Sequence, residues 1–250
     1  MTRRPISTYR LQLHAGFGFA DARAAVGYLA ELGITDVYTS PYLRAEKGST
    51  HGYNLVAYDQ LNPELGDEAA YEAWIAAMQA AGMGHILDVV PNHMGIATGE
   101  NVWWNDVLEN GPASIYAEHF DLEWNPPKPS LKDKVLLPIL GSQYGQVLEN
   151  GELALARDGG KLFVVYYDHR LPASPRTWVA ILEDALARLA LAVDDPARTE
   201  LESVLFHVKN LPAEPLELAR EKEVAKRRID AALSESAASR DAVDAAIAHV

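Results

Sequence analysis

The chain has 250 residues, no cysteine, 48% apolar residues and a formal charge of −13, with 35 acidic against 22 basic side chains. That length and apolar share suit one large or two small globular domains, and they exclude a disordered, fibrous or disulfide-stapled chain. The acidic balance argues against nucleic acid or another polyanion as partner, because phosphates are neutralised by clustered Lys and Arg.

The basic start, Met1-Thr-Arg-Arg4, is not followed by an apolar stretch of about 7–15 residues, so no secretory signal is expected. No apolar run nears the ~18–20 residues that cross a bilayer, so no membrane partner is expected. The absence of cysteine fits a reducing compartment, and the expected localisation is cytoplasmic. The densest basic cluster, Lys222, Lys226, Arg227 and Arg228, is interleaved with Glu221, Glu223 and Asp230 and reads as a solvated helix face.

Residues 6–14 hold β-branched and aromatic side chains and predict a first strand. Asp21 is placed to cap a helix with Ala25, Val26, Leu29 and Leu32 on one apolar face, ended by Gly33. Residues 34–40 predict a second strand, stopped by Pro41. A Gly-, Ser- and Asn-rich loop follows, and Asp67 then caps a helix carrying Tyr71, Trp74, Ile75 and Met78. Residues 85–90 predict a third strand before Pro91. Strands alternating with helices imply a parallel sheet with right-handed crossovers.

Residues 92–150 show no clean period, which marks either a functional excursion from the regular pattern or a stretch whose elements the pattern misreads. Residues 152–156 and 162–167 flank Asp158-Gly159-Gly160 and predict a hairpin. Four helices are expected after Arg176. The first presents Trp178, Ile181, Leu182, Ala185 and Leu189. The second is opened by Asp195-Pro196, the third by Glu214-Pro215, and the last begins near Arg240 and runs to Val250. The expected division is 1–91 for three β/α units, 92–170 for a loop-rich insertion with a hairpin, and 171–250 for a helical segment.

Two clusters carry chemistry. Asp88-Val-Val-Pro-Asn-His93 closes the third strand, where parallel α/β folds place functional residues. Asp88, Asn92 and His93 suit a polyol, a cation or a transition state; the plainer reading is a structural carboxylate and a loop histidine. Ser49-Thr-His51-Gly52-Tyr53-Asn54 follows the second strand. Gly52 permits a bend that points His51 and Tyr53 inward, giving a flat ring and short polar groups that suit a sugar. A turn with a packed Tyr is the alternative. Trp103, Trp104, Trp124 and Tyr144 suit either a platform for a glucan chain or a satellite core. Gly16-Phe-Gly18 falls short of a dinucleotide fingerprint, since Asp21 occupies its third small position and no acidic residue ends the second strand. The eight histidines show no metal-ligand spacing.

The D-x-x-x-N-H strand, the preceding His-Gly-Tyr loop and the order of elements resemble the α-amylase superfamily, glycoside hydrolase family 13. Further stretches narrow the likeness. Pro5-Ile-Ser-Thr-Tyr-Arg-Leu-Gln-Leu13, Ser40-Pro-Tyr-Leu-Arg-Ala45, Leu61-Asn-Pro-Glu-Leu-Gly66, residues 137–145 and Tyr166-Tyr-Asp-His-Arg170 are similar to the branch that builds trehalosyl ends on maltooligosaccharides.

The resemblance implies the first strands and helices of a (β/α)8 barrel, incomplete in this chain, with an insertion after the third strand and a helical tail. It implies an intramolecular transglucosylase that turns the reducing-end α-1,4 bond of a maltooligosaccharide into an α,α-1,1 bond. No cofactor and no metal are implied, and a trehalohydrolase is the implied pathway partner. Tyr53 is expected to stack on the sugar, His93 to bond one of its hydroxyls, Asp88 to orient, Asn92 to brace the neighbouring loop and His51 to line the pocket. Asn54 and Ala57 stand where that branch carries acidic residues. Its catalytic carboxylates belong to later strands, so the 250 residues are expected to be an amino-terminal portion, inactive alone. Another glucan hydrolase or transglycosidase of the superfamily, a non-catalytic glucan-binding fragment and a small nucleotide-binding α/β protein are the competing readings.

Overall fold

Three short β-rich runs make the strands β1 (Thr8–Leu11), β2 (Asp36–Thr39) and β3 (Gly84–Leu87), linked by the helices α1 (Phe19–Glu31) and α2 (Glu68–Ala80). The computed structural model describes residues 4–249; Met1, Thr2, Arg3 and Val250, at the basic start and the end of the last expected helix, lie outside them. The strands pair in parallel, in the order β1-β2-β3, with Arg10 opposite Tyr38 and Tyr38 opposite Ile86. These are three of the eight parallel strands a closed barrel needs, so the described residues form an open sheet.

Alternation along the strands decides which face is covered. Leu11, Val37 and Thr39 are buried on one face, Leu11 and Val37 in the same core as Val26 and Leu29 of α1 and Trp74 and Met78 of α2. Phe19 stacks on Trp74 with ring centroids 5.9 Å apart and meets Tyr71 edge-on at 5.5 Å. Full burial of each large apolar side chain stabilises by roughly 1.5–3 kcal/mol. The opposite face carries Arg10, Tyr38 and Ile86, none of them fully buried.

Several boundaries differ from the sequence reading. α1 begins at Phe19 and its N-cap is Gly18; Asp21 sits three residues on and accepts from the Gly18 N–H at 3.0 Å, so it closes the cap from inside the first turn. Leu32 falls past the last turn and is 52% exposed, while Gly33 reverses the chain at φ +82°. α2 opens as expected, with Asp67 accepting from Ala70 N–H at 2.8 Å. β3 stops at Leu87 because its partner β2 ends at Thr39; the Asp88 N–H makes a last bond to Thr39 O at 3.1 Å. Gly18 has a packing role, since a Cβ there would lie 2.4 Å from Leu65 O.

The contacts divide the chain into two compact units, one through Val102 and one from Trp103. The second contains most of α3 (Val102–Asn110), then α4 (Tyr144–Glu149) and an antiparallel sheet of β4 (Leu153–Asp158), β5 (Lys161–Tyr166) and β6 (His169–Pro172). The expected hairpin is present, closed by Asp158 opposite Lys161 around Gly159-Gly160. Its third strand, β6, went unread, because the β5–β6 turn uses Tyr167 at φ +48° and Asp168 and carries no Gly, Asn or Pro signal.

Four helices follow: α5 (Trp178–Arg188), α6 (Pro196–Lys209), α7 (Pro215–Glu235) and α8 (Ala237–His249). Asp195 and Glu214 cap α6 and α7 as their positions before proline require. α8 begins earlier than Arg240, with the Ser236 hydroxyl accepting from Ser239 N–H at 3.1 Å. Trp178, Ile181, Leu182, Leu201, Val204 and Ile229 form the buried centre of this unit.

The basic cluster on α7 needs correction. Lys222 and Lys226 are 3% and 8% exposed, not solvated. Lys222 Nζ is held by Asp106 and by Glu109 Oε2 at 2.7 Å; Lys226 Nζ lies 2.5 Å from Glu109 Oε1 and 2.8 Å from Glu223. Asp106 and Glu109 sit on α3, more than 100 residues away, Glu223 lies on α7 itself, and burial is tolerated because each ammonium is matched by carboxylates.

Candidate functional site

The sheet register sets the site. Arg10 and Tyr38 are direct partners on the half-open face, and Asp88 lies two residues beyond Ile86 on that same face. Asp88 Oδ2 accepts from Tyr53 Oη at 2.5 Å and from Tyr38 Oη at 2.9 Å, and Arg10 Nη1 lies 3.5 Å away. Arg10 Nη2 donates to Tyr53 Oη at 2.9 Å, and the guanidinium lies over the Tyr38 ring, 4.6 Å from its centroid.

Charges follow from these contacts. The Tyr53 hydrogen bond, joined by those of Tyr38 and Arg10, holds the Asp88 carboxyl below its ordinary range against a smaller effect of burial. The same bond to Asp88 pushes the Tyr53 phenol up, with Arg10 opposing. The bond to Tyr53 raises the Arg10 guanidinium further. At neutral pH Asp88 is therefore a carboxylate, Arg10 a guanidinium and Tyr53 a neutral phenol.

The loop after β2 delivers Tyr53. Gly52 turns at φ +75°, and a Cβ there would lie 2.2 Å from Pro41 O, so both conformation and space require glycine. Ser49 Oγ accepts from Gly52 N–H at 3.1 Å and donates to Asn54 Oδ1 at 2.5 Å. Asn54 Nδ2 donates to the buried Glu46 at 2.7 Å, and the other Glu46 oxygen accepts from Ala97 N–H at 2.9 Å. Glu46 thereby ties the loop after β2 to the loop after β3. Asn54, at a position where the resembled branch carries an acid, belongs to this brace.

The expected site residues divide into two groups. Tyr53 and Asp88 are bonded directly. His51 is exposed, stacks on Tyr53 with centroids 5.8 Å apart, and accepts from Tyr53 N–H at its Nδ1. Asn92 and His93 stand exposed in the loop after β3, and their side chains make no hydrogen bond to the cluster. Glu46 and Asn54 brace the two loops through their own bonds. His93 is held through its backbone, its carbonyl accepting from Tyr58 Oη at 3.3 Å. Sequence reasoning missed Arg10 and Tyr38; the signal was available in their alternation with the buried Leu11, Val37 and Thr39.

Of the aromatic residues weighed as a platform, Trp103 and Trp104 lie on α3 and not in a loop. Trp104 is buried against Phe120 at 5.1 Å, and Trp103 stacks on Tyr116 at 5.2 Å, so both favour the packing reading. Tyr144 is 63% exposed. Among the described residues no group of three His, Asp or Glu could hold a metal ion, and no helix is long and apolar enough to cross a membrane.

Comparison with known proteins adds three findings. The model of the α-amylase catalytic domain matches residues 24–148. A maltooligosyl trehalose synthase of Mycobacterium tuberculosis is 42% identical over 165 residues, 60% of this chain and 21% of that protein; a cyclomaltodextrinase of Geobacillus thermopakistaniensis is 34% identical over 115 residues, 44% of this chain and 19% of that one. The solved maltooligosyltrehalose synthase from Arthrobacter ramosus superposes with a TM-score of 0.59 at 40% identity, covering 68% of this chain and 21% of that one. The chain thus spans about a fifth of the length of these relatives.

Proposed function

We propose, from the premise that this chain belongs to the α-amylase catalytic-domain family, that it supplies part of the glucan-binding rim of an enzyme that isomerises the reducing end of maltooligosaccharides. The observation that carries the finer reading is the gradient among relatives. Likeness to the trehalosyl-forming enzymes is both higher and longer than likeness to the cyclodextrin-cleaving one.

In this reading the Tyr53 ring packs on the face of a glucose unit, and Asp88 Oδ1, left over when Oδ2 is engaged, accepts a sugar hydroxyl. His51, Asn92 and His93 offer polar edges around it. Retaining glycosidase chemistry uses two carboxylates, one as nucleophile and one as acid then base. The cluster holds a single carboxylate that three donors already fix. The chain is therefore assigned binding and positioning, and the reacting carboxylates are assigned to other strands of a barrel. Isomerisation instead of hydrolysis further requires that water be kept from the cleaved end. The product would be non-reducing, and a trehalohydrolase in the cytoplasm would consume it.

The test is titration of the 250-residue chain with maltohexaose, followed by product analysis. Saturable binding that weakens at least tenfold in Tyr53→Ala, without turnover by this chain alone, is expected. Turnover by the chain itself would overturn the assignment of the reacting carboxylates, and binding indifferent to Tyr53 would overturn the site.

A further inference from the structure

Arg10, like Tyr38, is a residue of the cluster to which the sequence motifs assign no role. An exposed ion pair of this kind ordinarily contributes little, because side-chain entropy and screening offset the attraction. Arg10 differs in how many groups fix it. Its Nη2 donates to Tyr53 Oη at 2.9 Å and lies 3.5 Å from Gln12 Oε1; Nη1 faces Asp88 Oδ2 at 3.5 Å; the guanidinium plane covers the Tyr38 ring. Gln12 is itself tethered, donating to Thr50 O at 3.0 Å in the loop that carries Tyr53. The side chain remains 35% exposed and Asp88 20%, so the group lies at the surface a ligand would reach.

We propose that Arg10 is the positioning residue of this site, a clamp that locks the Tyr53 ring and the Asp88 carboxylate into one rigid unit. Its fork holds the Tyr53 hydroxyl in the orientation that donates to Asp88, because an oxygen accepting from Arg10 directs its own proton elsewhere. All three donors gather on Oδ2, which leaves Oδ1 as the acceptor for a ligand. A lysine could supply the charge but not the planar fork or the stacking on Tyr38. The consequence for glucan affinity rests on the function proposed above; the clamp itself does not.

The test uses the 250-residue chain labelled with 13C at the tyrosine ζ carbons. The Tyr53 resonance is assigned by its loss in Tyr53→Phe, and maltohexaose affinity is measured on the same samples. In Arg10→Met the Tyr53 resonance should shift at pH 8, its ionisation should move to higher pH, and binding should weaken about tenfold, with the exposed Tyr28 resonance unmoved. Arg10→Lys should restore the ionisation in part and the affinity less. An unmoved Tyr53 resonance in Arg10→Met overturns the clamp, whether or not maltohexaose binds. A moved resonance in a chain whose wild type does not bind maltohexaose supports the clamp and overturns the glucan reading. Full affinity in Arg10→Lys would show that charge alone suffices and would also overturn the clamp.

Discussion

Three donors converge on one oxygen of Asp88, and each comes from a different part of the fold: Arg10 from β1, Tyr38 from β2 and Tyr53 from the loop beyond. None is close to Asp88 in sequence. The D-x-x-x-N-H motif identified the carboxylate, but its partners became legible only through the register that places Arg10, Tyr38 and Ile86 in one row. On the covered face, His85 lies against Trp74 and Tyr42 with Thr39 Oγ1 3.1 Å from its Nε2, and burial lowers its pKa. A lowered pKa contributes stability above the ordinary value near ~6.5, and that contribution is lost as pH falls toward the folded value. The melting temperature should therefore drop between pH 7 and pH 5 by thermal unfolding, and His85→Gln should flatten that slope even if it melts lower throughout.

At the scale of elements, local signals did well where structure is local. The caps at Asp67, Asp195 and Glu214 and the Gly159-Gly160 hairpin were readable because each is decided within a few residues. The burial of Lys222 and Lys226 was not readable, because helix spacing describes a face but not what comes to cover it. Removing Glu109, which holds both ammonium groups, leaves Lys222 to Asp106 alone and Lys226 to Glu223 alone, and Glu109→Ala should cost about 1–3 kcal/mol in denaturant unfolding. The hairpin turn is pressed against α7: a Cβ on Gly160 would lie 1.9 Å from Lys226 O, and Gly160 O accepts from Trp178 Nε1 at 2.9 Å. Gly160→Ala should destabilise the second unit by about 1–3 kcal/mol, while Gly145→Ala, where a Cβ meets open space, should cost far less. Equal effects at the two glycines would contradict the packing described.

For the molecule as a whole, three parallel strands and their helices gave a family-level reading, because crossover order and the two loop motifs are local in sequence and specific together. What the described strands do not form is a closed barrel, and the half-open face that carries Arg10, Tyr38 and Asp88 follows from that. The most direct measurement is a residue-resolved NMR titration of the 250-residue chain with maltohexaose. Saturable shifts centred on His51, Tyr53 and Asp88, abolished in Tyr53→Ala while the spectrum of the second unit stays unchanged, are expected. Shifts confined to other residues, or an unaltered titration in Tyr53→Ala, would contradict a glucan-binding rim at the ends of these strands.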